Sequence, residues 1–242
     1  MLKILTVALL PSLLIQGYFV KKNTLRLPGA TGQRKGTTDN GKKPLSILII
    51  GDSAAAGVGV EHQQDALLGS LLCELQHDFD LYYQLEAKTG DTTLQVLERT
   101  QALDNKSFDI VVTSVGVNDV TKLISPQKWI QQQQRFYAEI ERKFTPKMLL
   151  VTGVPPMNLF PALPNPLGWL FGQYSGAMNK ELAKFIENKQ LLQNKVNYQL
   201  MQFDLAHFKA LNLKMAEDGF HPSKEIYQVW ASEIRTKIKT IF

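Results

Sequence analysis

The chain has 242 residues, of which 44% are hydrophobic and 20% charged, a composition typical of a folded protein and not of disordered, collagen-like or polytopic membrane chains. The formal net charge is +5, but residues 1–43 hold eight Lys and Arg side chains against one Asp, so the remainder is close to neutral. This distribution argues against nucleic-acid binding, and the single cysteine, Cys73, excludes an intramolecular disulfide and a cysteine-based zinc site.

The first predicted element is the uncharged apolar run between Lys3 and Lys21. As a helix it would span about 25 Å, the short limit for crossing a bilayer. We expect residues 1–22 to be a signal or anchor segment, with a helix packed on the domain as the alternative. Because residues 16–22 lack a small-x-small cleavage pattern, a retained anchor is favoured, with membrane association through residues 4–20. The basic residues that follow favour the cytoplasmic face, whereas a signal-like segment allows export to the periplasm, so the side stays open.

Residues 23–44 are rich in Gly, Thr and Lys without apolar periodicity, which predicts a basic flexible tether. Beyond them, apolar runs alternate with amphipathic stretches. The predicted strands cover residues 45–50, 81–85, 110–115, 148–152 and, more weakly, 196–203, and the predicted helices lie near 67–75, 92–103, 126–144, 176–192 and 226–241. Strands that are apolar throughout and alternate with helices indicate a parallel sheet covered on both faces. Residues 45–242 are therefore predicted to form one α/β domain with three layers, αβα, around a five-stranded parallel sheet.

Ligands of such sheets bind outside the carboxyl ends of the strands, and four loops there carry unusual polar residues. They contain Gly51-Asp52-Ser53, Gly90, Gly116-Val117-Asn118-Asp119 and Asp218-Gly219-Phe220-His221-Pro222. In order, spacing and strand context these blocks resemble the signature blocks of the SGNH (GDSL-type) hydrolase family, over residues 45–235. One departure is Ala54, which stands where the family pattern has Leu.

The resemblance implies a flavodoxin-like fold and an esterase or lipase-like hydrolase that cleaves carboxylic (acyl) esters through a Ser-His-Asp triad, an acyl-enzyme intermediate and a three-donor oxyanion hole. The residues themselves support these roles. Ser53 is expected just before a helix whose N-terminus would favour a bound oxyanion. His221 is the candidate base for Ser53, and Asp218 the group that orients its imidazole. The backbone N–H groups of Ser53 and Gly90 and the side-chain amide of Asn118 are the expected oxyanion donors.

Alternative interpretations exist for these residues: Ser53 as an N-cap, Asn118 as a turn residue and Asp218 as a capping residue. Residues 154–172, with five prolines and three aromatics, are too irregular for a strand or a helix. We expect Leu159, Phe160, Trp169 and Phe171 in this loop to form an acyl-binding wall or a membrane-facing rim, with packing over a core edge as the alternative.

Two rival functions are weighed against the hydrolase. A nucleotide-binding loop is disfavoured because Gly57-Val58-Gly59 lacks a third glycine and no Gly-Lys-Ser/Thr follows, and the Gly-x-Ser-x-Gly elbow of α/β-hydrolases is absent. The non-enzymatic rival is a membrane-tethered binding module. The expected partner is a small acyl ester or a lipid-like substrate, with thioesters, lysophospholipids and acetylated saccharides as alternatives on the same site. No cofactor and no metal are expected, and the oligomeric state is not predicted.

Overall fold

The computed structural model describes residues 2–39, 41–192, 195–202 and 210–242. Its strands are β1 (Lys35–Thr37), β2 (Lys43–Gly51), β3 (Phe79–Ala87), β4 (Ile110–Ser114), β5 (Met148–Thr152) and β6 (Asn197–Met201). Its helices are α1 (Leu2–Ala8), α2 (Leu10–Asn23), α3 (Leu67–Leu75), α4 (Thr93–Ala102), α5 (Val117–Thr121), α6 (Pro126–Phe144), α7 (Leu167–Leu191) and α8 (Lys224–Ile238), with 3₁₀ turns at Gln63–Asp65 and Met157–Leu159. The end of the fifth predicted strand, Phe203, lies outside the described residues.

Within the described residues, the strands form one sheet in the order β1-β3-β2-β4-β5-β6. Strands β2 to β6 are parallel to one another, and β1 is antiparallel to β3. The order β3-β2-β4-β5-β6 is that of a flavodoxin-like doubly wound sheet, in which ligands bind where the strand order reverses. The predicted α/β class and its parallel core are confirmed, and the sheet is mixed because β1 adds a sixth strand.

Strand β1 lies inside the segment for which the sequence predicts a tether. Thr38 Oγ1 accepts a hydrogen bond from the Leu81 N–H at 2.8 Å, and the Arg34 carbonyl accepts one from the Leu85 N–H at 2.7 Å. The segment therefore covers the free backbone edge of β3, which would otherwise be open to pairing with another chain. Because β1 is largely exposed, it needs no apolar alternation, and the sequence pattern gives no signal for it.

Two apolar clusters, one on each face of the sheet, hold the layers together. Along β2, Leu48 and Ile50 belong to the cluster covered by α4, α6 and α7, while Ile47 and Ile49 belong to the one covered by α3 and α8. Successive side chains of a strand point to opposite faces, so a run buried throughout fits a sheet with helices on both sides. Burial of each such side chain contributes about 1.5–3 kcal/mol.

The register of the sheet brings three loops to one place. Gly51, the last residue of β2, lies opposite Ala87 on β3 and Ser114 on β4. The three strands therefore end at the same level, and the loops that follow them meet at one edge of the sheet. Gly51-Asp52-Ser53, Gly90 and Asn118 all belong to these loops.

Residues 167–172 form the first turns of α7, so the predicted irregular loop is shorter than residues 154–172. Asn165 Oδ1 accepts from the Trp169 N–H at 3.1 Å, and Gln16 Oε1 accepts from the Leu167 N–H at 3.0 Å. These acceptors satisfy free donors at the start of the helix. One acceptor lies 151 residues away in sequence, which explains why the local pattern places the helix start too late.

The apolar run near residues 4–20 forms α1 and α2, which are separated at Leu9 and contact α7. Pro11 lies in the first turn of α2, where its missing N–H costs no helical hydrogen bond. Among the described residues, no helix combines the length and the apolar character needed to cross a bilayer.

Candidate active site

Ser53 lies in a series of hydrogen-bonded turns and not before a helix. The Ala56 N–H donates to the Asp52 carbonyl and the Val58 N–H to the Ser53 carbonyl, and the next helix, α3, begins only at Leu67. The predicted helix N-terminus beside Ser53 is therefore wrong. Gly59 explains the turn: its φ is +111°, and a Cβ on it would lie 2.1 Å from the Pro222 carbonyl oxygen. The glycine thus lets the Ser53 turn approach the loop that carries His221.

Ser53, His221 and Asp218 lie in one hydrogen-bonded chain. Ser53 Oγ is 2.9 Å from His221 Nε2, and His221 Nδ1 is 2.5 Å from Asp218 Oδ2. With an ionised Asp218 as acceptor, Nδ1 carries the proton, so Nε2 is free to accept the hydrogen of the serine hydroxyl. The structure thus brings together a serine and a histidine that are 168 positions apart in sequence.

The surroundings of Asp218 keep its carboxylate ionised. Burial opposes ionisation, but the hydrogen bond with the His221 ring and two backbone N–H donors outweigh it and lower the pKa of Asp218. These donors are the N–H groups of Phe220 and His221, both 2.9 Å from Oδ1. Hydrogen bonds to the charged form favour that form, so Asp218 remains an acceptor for the imidazole at neutral pH.

The three predicted oxyanion donors lie at the ends of β2, β3 and β4. Among the described residues, no protein group accepts a hydrogen bond from the N–H of Ser53 or of Gly90. Asn118 Nδ2 donates to the Asp91 carbonyl at 3.0 Å, which leaves its second hydrogen for a ligand. Gly90 has a φ of +87°, and a Cβ there would meet nothing within 4 Å. Its backbone conformation, and not crowding, therefore requires glycine.

Sequence analysis missed the ion pair between Arg99 and Asp91, which connects two of these loops. Arg99 Nε donates to Asp91 Oδ2 at 2.6 Å, and Arg99 Nη2 donates to the Gly51 carbonyl at 3.1 Å. Gly51 directly precedes Asp52-Ser53, and Asp91 directly follows Gly90. One guanidinium therefore ties the serine turn to the Gly90 turn. No local pattern reveals the connection between the two turns, since Gly51 is 48 residues from Arg99.

Two further carboxyl groups are buried behind the site. Burial raises the pKa of Asp52 to about 7, opposed by the Ala54 N–H, and the charge of Asp119 raises it further. Burial likewise raises the pKa of Asp119 to about 6, although it accepts from the N–H and Oγ1 of Thr93. Both acids thus support the loops from within, without touching the serine hydroxyl or the imidazole ring.

An open cavity adjoins Ser53 and His221, and its volume of about 870 Å³ includes solvent space at the mouth. Its walls come from the ends of β4 and β5, from the loops that follow them and from α8, and they are largely apolar. Of the four predicted wall residues, Leu159 and Phe160 line this cavity. Trp169 is exposed on α7 instead, and Phe171 is buried in the core, because both belong to a helix where the sequence predicts a loop.

No group of three His, Cys, Asp or Glu side chains that would hold a metal ion occurs in the described part of the chain.

Solved structures with a similar fold include TesA, at 20% identity with a TM-score of 0.63, over 81% of this chain and 99% of that one. The psychrotrophic esterase EstA from Pseudoalteromonas sp., inhibited by monoethylphosphonate in that structure, has 20% identity over 81% of this chain and 97% of its own, with a TM-score of 0.59. The acetyl xylan esterase AlAXEase has 16% identity over 80% of this chain and 100% of its own, also with a TM-score of 0.59.

No curated protein sequence significantly matches this chain. The sequence model of the GDSL-like Lipase/Acylhydrolase family matches residues 49–229, from the end of β2 to within α8. The matched region contains the whole sheet edge described above. Since the match covers well over half of the chain and agrees with the observed fold, the chain belongs to the GDSL-like lipase/acylhydrolase family.

Proposed function

We propose that this protein is a serine esterase that hydrolyses carboxylic esters with apolar acyl groups. The distance of 2.9 Å between Ser53 Oγ and His221 Nε2, beside an open cavity, is the observation that carries the proposal. A serine hydroxyl becomes a competent nucleophile when a base within hydrogen-bond reach takes its proton. Family membership agrees with a hydrolase that acts on esters.

In the proposed reaction, Ser53 Oγ attacks the ester carbonyl carbon while His221 Nε2 takes the hydroxyl proton. The resulting oxyanion accepts hydrogen bonds from the N–H groups of Ser53 and Gly90 and from Asn118 Nδ2. His221 then returns the proton to the leaving alcohol, and the acyl group stays on Ser53. Water, deprotonated by His221, attacks this acyl-enzyme and releases the carboxylic acid, which regenerates the serine hydroxyl.

The cavity walls guide the choice of substrate. Leu159, Phe160 and Phe220 line the space next to Ser53, and Phe160 packs edge-to-face on Phe220 with their ring centroids 5.1 Å apart. Apolar walls favour an apolar acyl chain over a polar sugar. We therefore favour simple acyl or lipid-like esters over acetylated saccharides.

The test is hydrolysis of p-nitrophenyl esters of increasing acyl length by the full chain and by Ser53→Ala. The expected result is turnover by the wild type that rises beyond acetate and is stopped by a serine-directed phosphonate, with no turnover and no phosphonate adduct in Ser53→Ala. A folded wild type that binds acyl chains without turnover would favour the binding module instead. A preference for acetyl esters would favour a saccharide acetylesterase.

A further inference from the structure

Helix α2 carries apolar side chains on its outward side as well as on the side that packs on the core. Its outward residues are Leu10, Leu14, Ile15, Tyr18 and Phe19, and Leu14, Ile15 and Tyr18 are 65%, 60% and 62% exposed. At about 100° per residue these positions lie within one half of the helix circumference. We call them the α2 face. A contiguous exposed apolar surface of this kind marks an interaction site.

The opposite side of α2 is fixed to the body of the protein. Leu13 is buried in the core, Gln16 Nε2 donates to the Asn165 carbonyl at 2.7 Å, and Gln16 Oε1 accepts from the Leu167 N–H. In α1, Thr6 Oγ1 lies 3.2 Å from the hydroxyl of Tyr174 on α7. Leu13, Gln16 and Thr6 thus fix the two helices to the body of the protein, and α2 lies along the surface with a further apolar side facing outward.

Charged and aromatic side chains border the α2 face. Lys21, Lys22 and Arg26 are exposed immediately after it, and Tyr18 and Phe19 contact each other edge-to-face within it. Trp169 is also exposed near α2: it lies two residues after Leu167, whose N–H donates a hydrogen bond to Gln16 of α2. Aromatic rings at headgroup depth and basic side chains near anionic headgroups are features of segments that lie at a membrane interface.

We propose that the α2 face, together with Trp169, docks this protein on the surface of a bilayer that contains anionic lipids, with α2 in the plane of the interface. A second copy of the chain is the competing occupant. In a two-fold dimer the same patch faces itself, and α2 carries no acidic side chain that could pair with Lys21 and Lys22 of the other copy. Anionic headgroups pair with these lysines instead, so charge favours the lipid surface.

The proposal also places the catalytic cavity near the lipid. Gln16 bonds to the carbonyl of Asn165, and Asn165 ends the same loop that contributes Leu159 and Phe160 to the cavity. This consequence rests on the proposed esterase function, because it concerns access of a lipid-like ester to Ser53. The docking itself does not depend on catalysis.

Co-flotation of the full chain with vesicles tests the docking in a Ser53→Ala background, in which no lipid is hydrolysed. The vesicles are phosphatidylcholine alone and phosphatidylcholine mixed with phosphatidylglycerol. We expect binding to the mixed vesicles that weakens with added salt and is released by alkaline carbonate. Lys21→Glu with Lys22→Glu should lower the affinity for mixed vesicles at least tenfold, since each basic side chain near an anionic surface contributes about fivefold.

The double variant Leu14→Gln/Tyr18→Gln should abolish flotation without changing the unfolding temperature. When the same two substitutions are made in the protein that retains Ser53, hydrolysis of a soluble short-chain ester should also be unchanged. Leu191→Gln is the matched control, because Leu191 is 74% exposed at the far end of α7. Failure of the wild type to float, or equal flotation of the double variant, would overturn the proposal. Binding that resists carbonate would also overturn the proposal, because it indicates a membrane-spanning segment. Dimers that form without lipid and dissociate in the same double variant would overturn it as well.

Discussion

Two regions of this molecule surround Ser53 and are held in different ways. At the ends of β2, β3 and β4, hydrogen bonds and one ion pair fix polar groups that lie only a few residues beyond the end of a strand. The loop of residues 153–166 combines apolar packing, with Phe160 on Phe220, and hydrogen bonds to helix residues: Asn179 pairs with both backbone groups of Val154, and Gln16 reaches the loop from 149 residues away. Stiff strand ends suit groups that must be placed within a fraction of an ångström, whereas an apolar wall needs only shape.

This contrast predicts that substitutions at the sheet edge change the rate of the chemical step, and that substitutions in the loop change which substrate is preferred. A displacement of about 1 Å costs on the order of 10²-fold in rate at a catalytic group. The predictions below run from the largest expected effect to the smallest.

His221→Ala should lower kcat by about 10⁴- to 10⁶-fold, because Ser53 loses the base that takes its proton. The double variant Ser53→Ala/His221→Ala should be no slower than either single one, since the two groups act as a unit. Steady-state kinetics on a short-chain ester measure both. The exposed His77→Ala serves as the control, and a His221→Ala enzyme within tenfold of wild type would remove His221 from the mechanism.

Asn118→Ala should lower kcat by about 10²- to 10³-fold with an unchanged unfolding temperature, because one of the three proposed oxyanion donors is lost. Thr121→Ala, on the same short helix, is the control; its hydroxyl donates to the Asn118 carbonyl. Near-normal turnover by Asn118→Ala would assign this side chain to the turn alone.

The buried acids should make the folded state less stable as the pH rises. The pKa of Asp52 is about 7 in the folded protein and about 4 when unfolded, so between these values the folded state holds a proton that the unfolded state has lost. The unfolding free energy should therefore decline from pH 4 to pH 7, and Asp52→Asn should reduce that decline by a few kcal/mol. Urea titrations across this range, with exposed Asp104→Asn as the control, measure the difference. Equal slopes for wild type and Asp52→Asn would contradict the prediction.

Arg99→Leu should lower kcat about tenfold with little change in KM, since the serine turn and the Gly90 turn lose their common partner. Arg99→Lys should recover part of the rate, because one ammonium cannot reproduce both guanidinium bonds. Phosphonate inactivation should slow in parallel with kcat, which a purely structural role would not require. Arg142→Leu removes a distant, exposed ion pair as the control. A lower unfolding temperature with unchanged kcat would count against a positioning role.

Leu159→Trp should shift the preferred acyl chain to shorter lengths by a few-fold in kcat/KM, because the larger ring fills part of the cavity. Trp169→Ala is the matched control: Leu159 and Trp169 are both 40% exposed, and only Leu159 lines the cavity described above. An acyl profile that changes with Trp169 and not with Leu159 would reverse the assignment of these two residues.

Sequence patterns predicted β4, β5 and most of β2 well because these strands are buried on both faces and read as continuous apolar runs. Strand β3 alternates buried and half-buried residues, and its prediction stops short at both ends. The patterns predicted α6 at its observed bounds because Ser125 and Pro126 mark its start and the apolar spacing marks its length. The same patterns missed β1, which is short and largely exposed, and the start of α7, whose first donors are satisfied by Asn165 and by the distant Gln16.

The sequence alone determined the order of the βα units and the residue types at each strand end, because periodicity and local spacing are properties of the chain itself. Only the tertiary structure decided how those ends meet. The register of β2 with β3 and β4 and the contact of Gly59 with Pro222 brought the hydroxyl of Ser53 to the imidazole of His221. Likewise, docking on α7 decided which side of α2 faces solvent. Such contacts join residues that are far apart along the chain, so local sequence patterns cannot predict them.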